Sequence, residues 1–210
     1  MPPLNTSLPL PNPPENRFPD CLQLDITAIP LTTGQQGKKF WGELFNFRRQ
    51  VTEPQQVKKI ELYLKIKFDE QWEQLSEGRI KFGLRGGQLR FHLENGVMPS
   101  HLRQLNSPQI IAQGSATNPM WEFKTAIKQP VLQGVVDYVK LGTVEVEAFP
   151  CRIQAIFTIS PQDIAITDNE ALWLPNISRN KMAVLERLTI LRILEPKLQP
   201  YLSQVTLQYD

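Results

Sequence analysis

Hydrophobic residues fall on alternate positions through much of this chain. Leu22, Leu24 and Ile26 alternate with Gln23, Asp25 and Thr27, and later Ile60, Leu62, Leu64, Ile66 and Phe68 alternate with Lys59, Glu61, Tyr63, Lys65 and Lys67. A period of two sends successive side chains to opposite faces, so both runs predict half-buried strands. The second has a wholly apolar face and a mostly charged one, the mark of an antiparallel strand with one wet side. An aromatic run, Phe40 to Phe47, predicts a strand between them. Further strands are predicted at Trp121–Ile127, Val131–Leu141, Val144–Phe149, Cys151–Ile159 and Ile164–Thr167, with a short last one at Val205–Tyr209.

Around Gly86-Gly87 the alternation predicts a hairpin. With the glycines as a two-residue turn, Leu84 stands opposite Leu89, Phe82 opposite Phe91 and Ile80 opposite Leu93, all on one face. The other face pairs Arg85 with Gln88, Gly83 with Arg90, Lys81 with His92 and Arg79 with Glu94. Two glycines suit a primed turn because both can take positive φ. A slip of one residue would scramble both faces.

Helix is predicted in two places. Asp69 starts a short turn over Glu70–Leu75, with Gly78 as its stop. The longer helix runs from Ser178, a capping residue, to Leu194, with Pro196 ending it. Its apolar set (Met182, Val184, Leu185, Leu188, Ile190, Leu191, Ile193, Leu194) is broad and leaves Arg179, Lys181, Glu186, Arg187 and Arg192 outside. A stripe of that width predicts burial against a sheet or a partner's surface. From Asn95 to Asn118 the periodicity fails, and loops of this length are commonly functional or disordered. The fold class expected is mainly β (α+β): two packed antiparallel sheets, sandwich-like, with one C-terminal helix and short helical turns.

Seven of the 18 prolines lie in residues 1–20. Proline fixes φ and has no amide donor, so residues 1–19 are expected to be an extended, flexible tail ahead of a single β-rich domain over 20–210. No basic residue flanks these prolines as proline-recognition domains usually require, which favours a solvated leader over a docking segment. No leader with a basic region and an apolar stretch opens the chain, and no apolar run approaches the ~20 residues that span a bilayer. Cys21 and Cys151 are expected to be small buried hydrophobes in a reducing cytoplasm.

A formal net charge of +2 gives no bulk argument for nucleic acid or anionic lipid. The balance is uneven along the chain, with 13 Lys and Arg against 8 Asp and Glu over residues 38–103.

Several fragments imitate catalytic motifs, and none is complete. Gly34-Gln35-Gln36-Gly37-Lys38-Lys39 lacks both the four-residue spacing and the Ser or Thr of a phosphate-binding loop. His92-Leu93-Glu94 with Pro150-Cys151 lacks the second cysteine of a zinc deaminase, since Gln154 stands there. Ser178-Arg179-Asn180-Lys181 has the Ser-x-x-Lys pattern without its companion motifs in order, so Ser178 is read as a cap and Lys181 as solvated. Only His92 and His101 could serve a serine triad, and no Gly-x-Ser-x-Gly elbow presents the serine. Asp163, Asp168 and Glu170 do not have the spacing of a calcium loop. No catalytic, cofactor-binding or metal-binding residue is therefore named, and no cofactor is expected.

The remaining candidate is a surface. Arg79, Lys81, Arg85, Arg90 and His92 would share the polar face of the hairpin, a candidate site for a polyanion such as nucleic acid, with Lys59, Lys65, Lys67 and Tyr63 extending it from a neighbouring strand. Ordinary solvation of that face is the competing reading. The expected function is a non-enzymatic binding or assembly module that engages a protein partner or a second copy, through Asn95–Asn118 and the C-terminal helix. Nucleic-acid binding by the basic face is the alternative, and a hydrolase whose site is invisible in sequence the second. No membrane association is expected.

Overall fold

The computed structural model of the chain describes residues 15–32, 57–99, 110–173 and 177–210. The strand expected at Phe40–Phe47, the glycine-lysine stretch at 34–39, His101 and most of the proline-rich tail lie outside these residues.

In chain order the strands are β1 (Glu15–Asn16), β2 (Leu22–Thr32), β3 (Val57–Phe68), β4 (Gln71–Gln74), β5 (Arg79–Leu84), β6 (Gly86–Glu94), β7 (Gly96–Val97), β8 (Ile110–Gly114) and β9 (Pro119–Lys124). They continue with β10 (Gly134–Val146), β11 (Cys151–Thr158), β12 (Ile164–Glu170) and β13 (Ser203–Tyr209). Helix α1 (Arg179–Thr189) runs through a π-helical stretch, Ile190–Leu194, into α2 (Glu195–Leu198). The protein is mainly β, its strands antiparallel, with sandwich-like packing; among the described residues helix is confined to the C-terminal region and one short 3-10 turn.

Three sheets are present among the described residues, ordered β1-β13-β11-β6-β9-β8, β2-β3-β10-β7 and β12-β5-β4. The first two pack face to face. Phe68 of β3 reaches across to Phe123 of β9 and Phe157 of β11, with ring centroids 5.5 and 5.7 Å away. Leu22, Leu24, Ile26, Ile60, Leu62, Leu64 and Ile66 meet Leu89, Phe91, Trp121, Ile153 and Leu207 in one core. Each strand supplies its alternate positions, as the period-two pattern requires. Glu15 and Asn16, inside the stretch expected as tail, pair with β13.

The Gly86-Gly87 hairpin does not form. β5 and β6 belong to different sheets, and the chain passes straight from one into the other. Leu84 pairs with Ile164, whereas Leu89 lies between Phe157 and Trp121. The faces inferred from alternation hold, because Ile80, Phe82, Leu84, Leu89, Phe91 and Leu93 are all buried. What differs is the neighbour. The glycines serve close approach rather than reversal: a Cβ on Gly86 would stand 2.8 Å from the Phe123 carbonyl oxygen, and one on Gly87, where φ is +157°, 2.5 Å from the Phe157 ring. Strands that switch sheets at a bend are a recognised way of turning a sandwich corner.

Residues 70–75 also depart from expectation. A single helical turn has no nucleus of its own, and Gln71–Gln74 instead pairs with β5, the Leu75 N–H donating to the Gly78 carbonyl at 2.8 Å to close the real hairpin. The break expected at Gly142 is absent. β10 runs on as one bulged strand, with register shifts at Val136/Val139 and Lys140/Gly142. The helix likewise does not stop at Pro196. The turn before it widens so that the Glu195 N–H donates to the Ile190 carbonyl, and Pro196 falls in the first turn of α2, where its missing donor is tolerated. Within 95–118, residues 96–97 and 110–114 are strands.

Candidate functional site

The five basic positions singled out above are divided by the sheet switch. Arg79 and Lys81 stand on β5, Arg90 and His92 on β6, and Arg85 at the crossing. Arg79 makes a two-pronged contact with Glu170, Nε to Oε2 at 2.7 Å and an Nη2 to Oε1 at 2.8 Å, and its guanidinium lies over Trp72. Their mutual hydrogen bonding raises the Arg79 pKa and lowers that of Glu170. Lys81 is 3.2 Å from Glu70. Arg90 donates to Gln88, and His92 Nδ1 stands 3.0 Å from Asn118 Oδ1. Arg90 and His92 border a hollow of about 400 Å³ that neither β5 residue lines.

The lysines expected to extend that face also hold acids. Lys59 contacts Glu145, Lys65 contacts Asp137 and Lys67 contacts Asp69. Tyr63 stacks on Tyr138 with centroids 4.6 Å apart. This outer face of the four-stranded sheet is a lattice of neutralised charges.

The contrast is α1. Ser178 has the extended backbone of a capping residue and its carbonyl accepts from the Met182 N–H at 2.9 Å, but its hydroxyl caps nothing. Of Arg179–Thr189 only Thr189 is buried. The anchor comes later, at Leu194 and Leu198, which are 0% and 1% exposed. The helix is therefore tethered at its C-terminal end, while its earlier turns stand as a ridge. Along that ridge Val184, Leu188 and Leu191 expose 58%, 38% and 37% of their surface. Steps of four and three residues keep the three in one stripe.

Lys181, Arg187 and Arg192 flank this stripe and Arg179 stands at the start of the helix, and among the described residues no carboxylate lies within ion-pair distance of any of them. The acids on the same helical run are Glu186 and Glu195.

On one side of the ridge lies a cleft of about 410 Å³ between α1 and the 3-10 turn (Pro161–Asp163) with β12. Ile164 and Ile166 wall it from β12, and Ile190 and Leu191 from the helix. Arg85 and Arg187 border it with Glu186. Arg85 is fixed at the sheet crossing: its N–H donates to the Asp163 carbonyl at 2.6 Å, and its own carbonyl accepts from the Thr125 N–H at 2.9 Å. The Asp163 carboxylate is taken by Ser160, accepting from its N–H at 2.8 Å and its hydroxyl at 2.6 Å. Arg85 is left with a pinned backbone and a guanidinium at the cleft. On the other side of the ridge, Ile177, Lys181, Val184 and Leu185 line an apolar hollow of about 370 Å³.

The breadth of the helix's apolar set signalled this surface in the sequence. Nothing there signalled the cleft, because Arg85 and β12 reach it only through the sheet switch. Among the described residues no three His, Cys, Asp or Glu side chains converge as a metal site would need, and no helix is long and apolar enough to cross a membrane. Compared with family models, with curated proteins and with solved structures, the chain finds no match in any of the three.

Proposed function

We propose that this chain is a non-enzymatic binding module that engages a protein partner through the outward face of α1. The observation that carries this reading is the water-facing stripe of Val184 and Leu188 on α1, where only Thr189 is buried, continued by Leu191 in the π-helical stretch. A helix this short is marginal in water on its own and normally draws its stability from packing an apolar face. Here the apolar face of the early turns points away from the core, where a partner's surface would cover it. Hydrophobic side chains ringed by polar and charged ones are also the usual build of a recognition surface.

The test is site-specific photocrosslinking of the full chain in its native lysate, with the photoreactive residue at Leu188 and, as a control, at Thr27 on the exposed side of β2. A protein adduct formed at position 188, absent at position 27 and insensitive to nuclease, is the expected result. Equal labelling at both positions, or an adduct lost on nuclease treatment, would overturn the reading.

A further inference from the structure

We infer that the partner segment is acidic and amphipathic, its apolar side chains on the Val184–Leu188–Leu191 stripe and a carboxylate in the cleft between Arg85 and Arg187. This inference rests on the protein-partner reading. It follows from the distribution of unpaired charge. Lys59, Lys65, Lys67, Arg79, Lys81, Lys124, Lys140, Arg152 and Lys197 all have a carboxylate at hand. Among the described residues the cations without one are Arg17, Arg90 and Lys128, which lie elsewhere, and a group along the helical run and across its cleft: Arg85, Arg179, Lys181, Arg187 and Arg192. Guanidinium groups are the natural partners of carboxylates, because their planar donors match two oxygens at once. The cleft is also walled by Ile164, Ile166, Ile190 and Leu191, so a carboxylate entering it would be partly screened from water and held more firmly than on an open surface.

Two other occupants fit less well. A second copy would set the same cations against one another, and like charges across an interface cost several kcal/mol. A lipid surface is flat and could rest on the stripe but could not send a group into a cleft bordered by Arg85 of the sheet. The stripe also lacks the exposed aromatic residues that usually anchor interfacial helices.

The experiment measures fluorescence anisotropy of two labelled synthetic peptides with the full chain at low and moderate salt. Both carry leucines at helical spacing, flanked in one by glutamates and in the other by lysines. The glutamate peptide is expected to bind about tenfold or more tightly than the lysine peptide, the gap narrowing with salt. Arg85→Glu with Arg187→Glu should abolish or reverse that preference, while Leu188→Ser should weaken the glutamate peptide and leave the charge preference in place. Equal affinity for the two peptides, or binding of neither, overturns the inference. So does co-sedimentation with phosphatidylserine vesicles in place of peptide binding. Loss of charge preference with the adduct at position 188 intact would remove the acidic partner and keep the protein partner. Absence of the adduct removes both.

Discussion

Cys21, in the turn just before β2, has no exposed surface, and burial, reinforced by the Asp69 and Glu70 carboxylates, pushes its thiol up to about 12 from an ordinary 9.0. Ionisation is thus harder in the folded chain than in the unfolded one, which loses its proton first as pH rises. The contribution to stability is whole below about pH 9 and drains away towards 12, at about 1.4 kcal/mol for each pH unit. Urea denaturation at pH 9 and 10 is expected to show that slope in the native protein and its loss in Cys21→Ala. A slope unchanged by the substitution would refute it. Both cysteines are buried as expected, but only Cys151 sits in phase with an apolar strand face; Cys21, next to Leu22, shares the phase of Gln23, Asp25 and Thr27, so strand alternation did not make its burial legible. The reading of Gly86-Gly87 as a turn failed at the same scale. Two residues without Cβ satisfy a turn and a tight crossing equally well, and only the Phe157 ring beside Gly87, far away in sequence, separates the two.

Among elements, period two revealed which side of each strand is dry but not which strand lies beside it. The faces of β3, β5, β6 and β11 were therefore readable, and their sheet membership was not. β4 was missed because four residues carry too little pattern to outweigh a local helical reading, and its identity comes from pairing with β5. The helix was found, but its divided burial was not, because sequence cannot show that support stops where the early turns leave the sheet. That division has a measurable signature. Leu198→Ala, at a fully packed anchor, should cost about 2–5 kcal/mol in a urea melt, whereas Leu188→Ser, on the open ridge, should change stability by about 0.5 kcal/mol or less. A large loss from Leu188→Ser would mean that the stripe packs within the chain and is not free for a partner.

For the molecule as a whole, the two large sheets are joined through aromatic side chains. Phe68, Phe123 and Phe157 form a closed triangle of ring contacts at 5.5 to 5.8 Å across the interior. Phe68→Ala is expected to cost about 3–5 kcal/mol, a large share of the ~5–15 kcal/mol that holds a typical domain, and to lower the thermal midpoint by circular dichroism accordingly. A shift of only a degree or two would show that the sheets hold together without the triangle. The mainly β, sandwich-like class was legible from alternation and turn spacing; the third sheet was not, since it exists only because β5 parts from β6. The order β1-β13-β11 has its own consequence. The last of these strands to leave the ribosome is an inner member of the largest sheet, lying between one of the first strands made and one made much later. Until Ser203–Tyr209 emerges, the edges of β1 and β11 and the apolar side of that sheet stay uncovered. A nascent chain stalled short of that point would present an open sheet, making it a natural client for holding chaperones and a seed for aggregation at its unpaired edges.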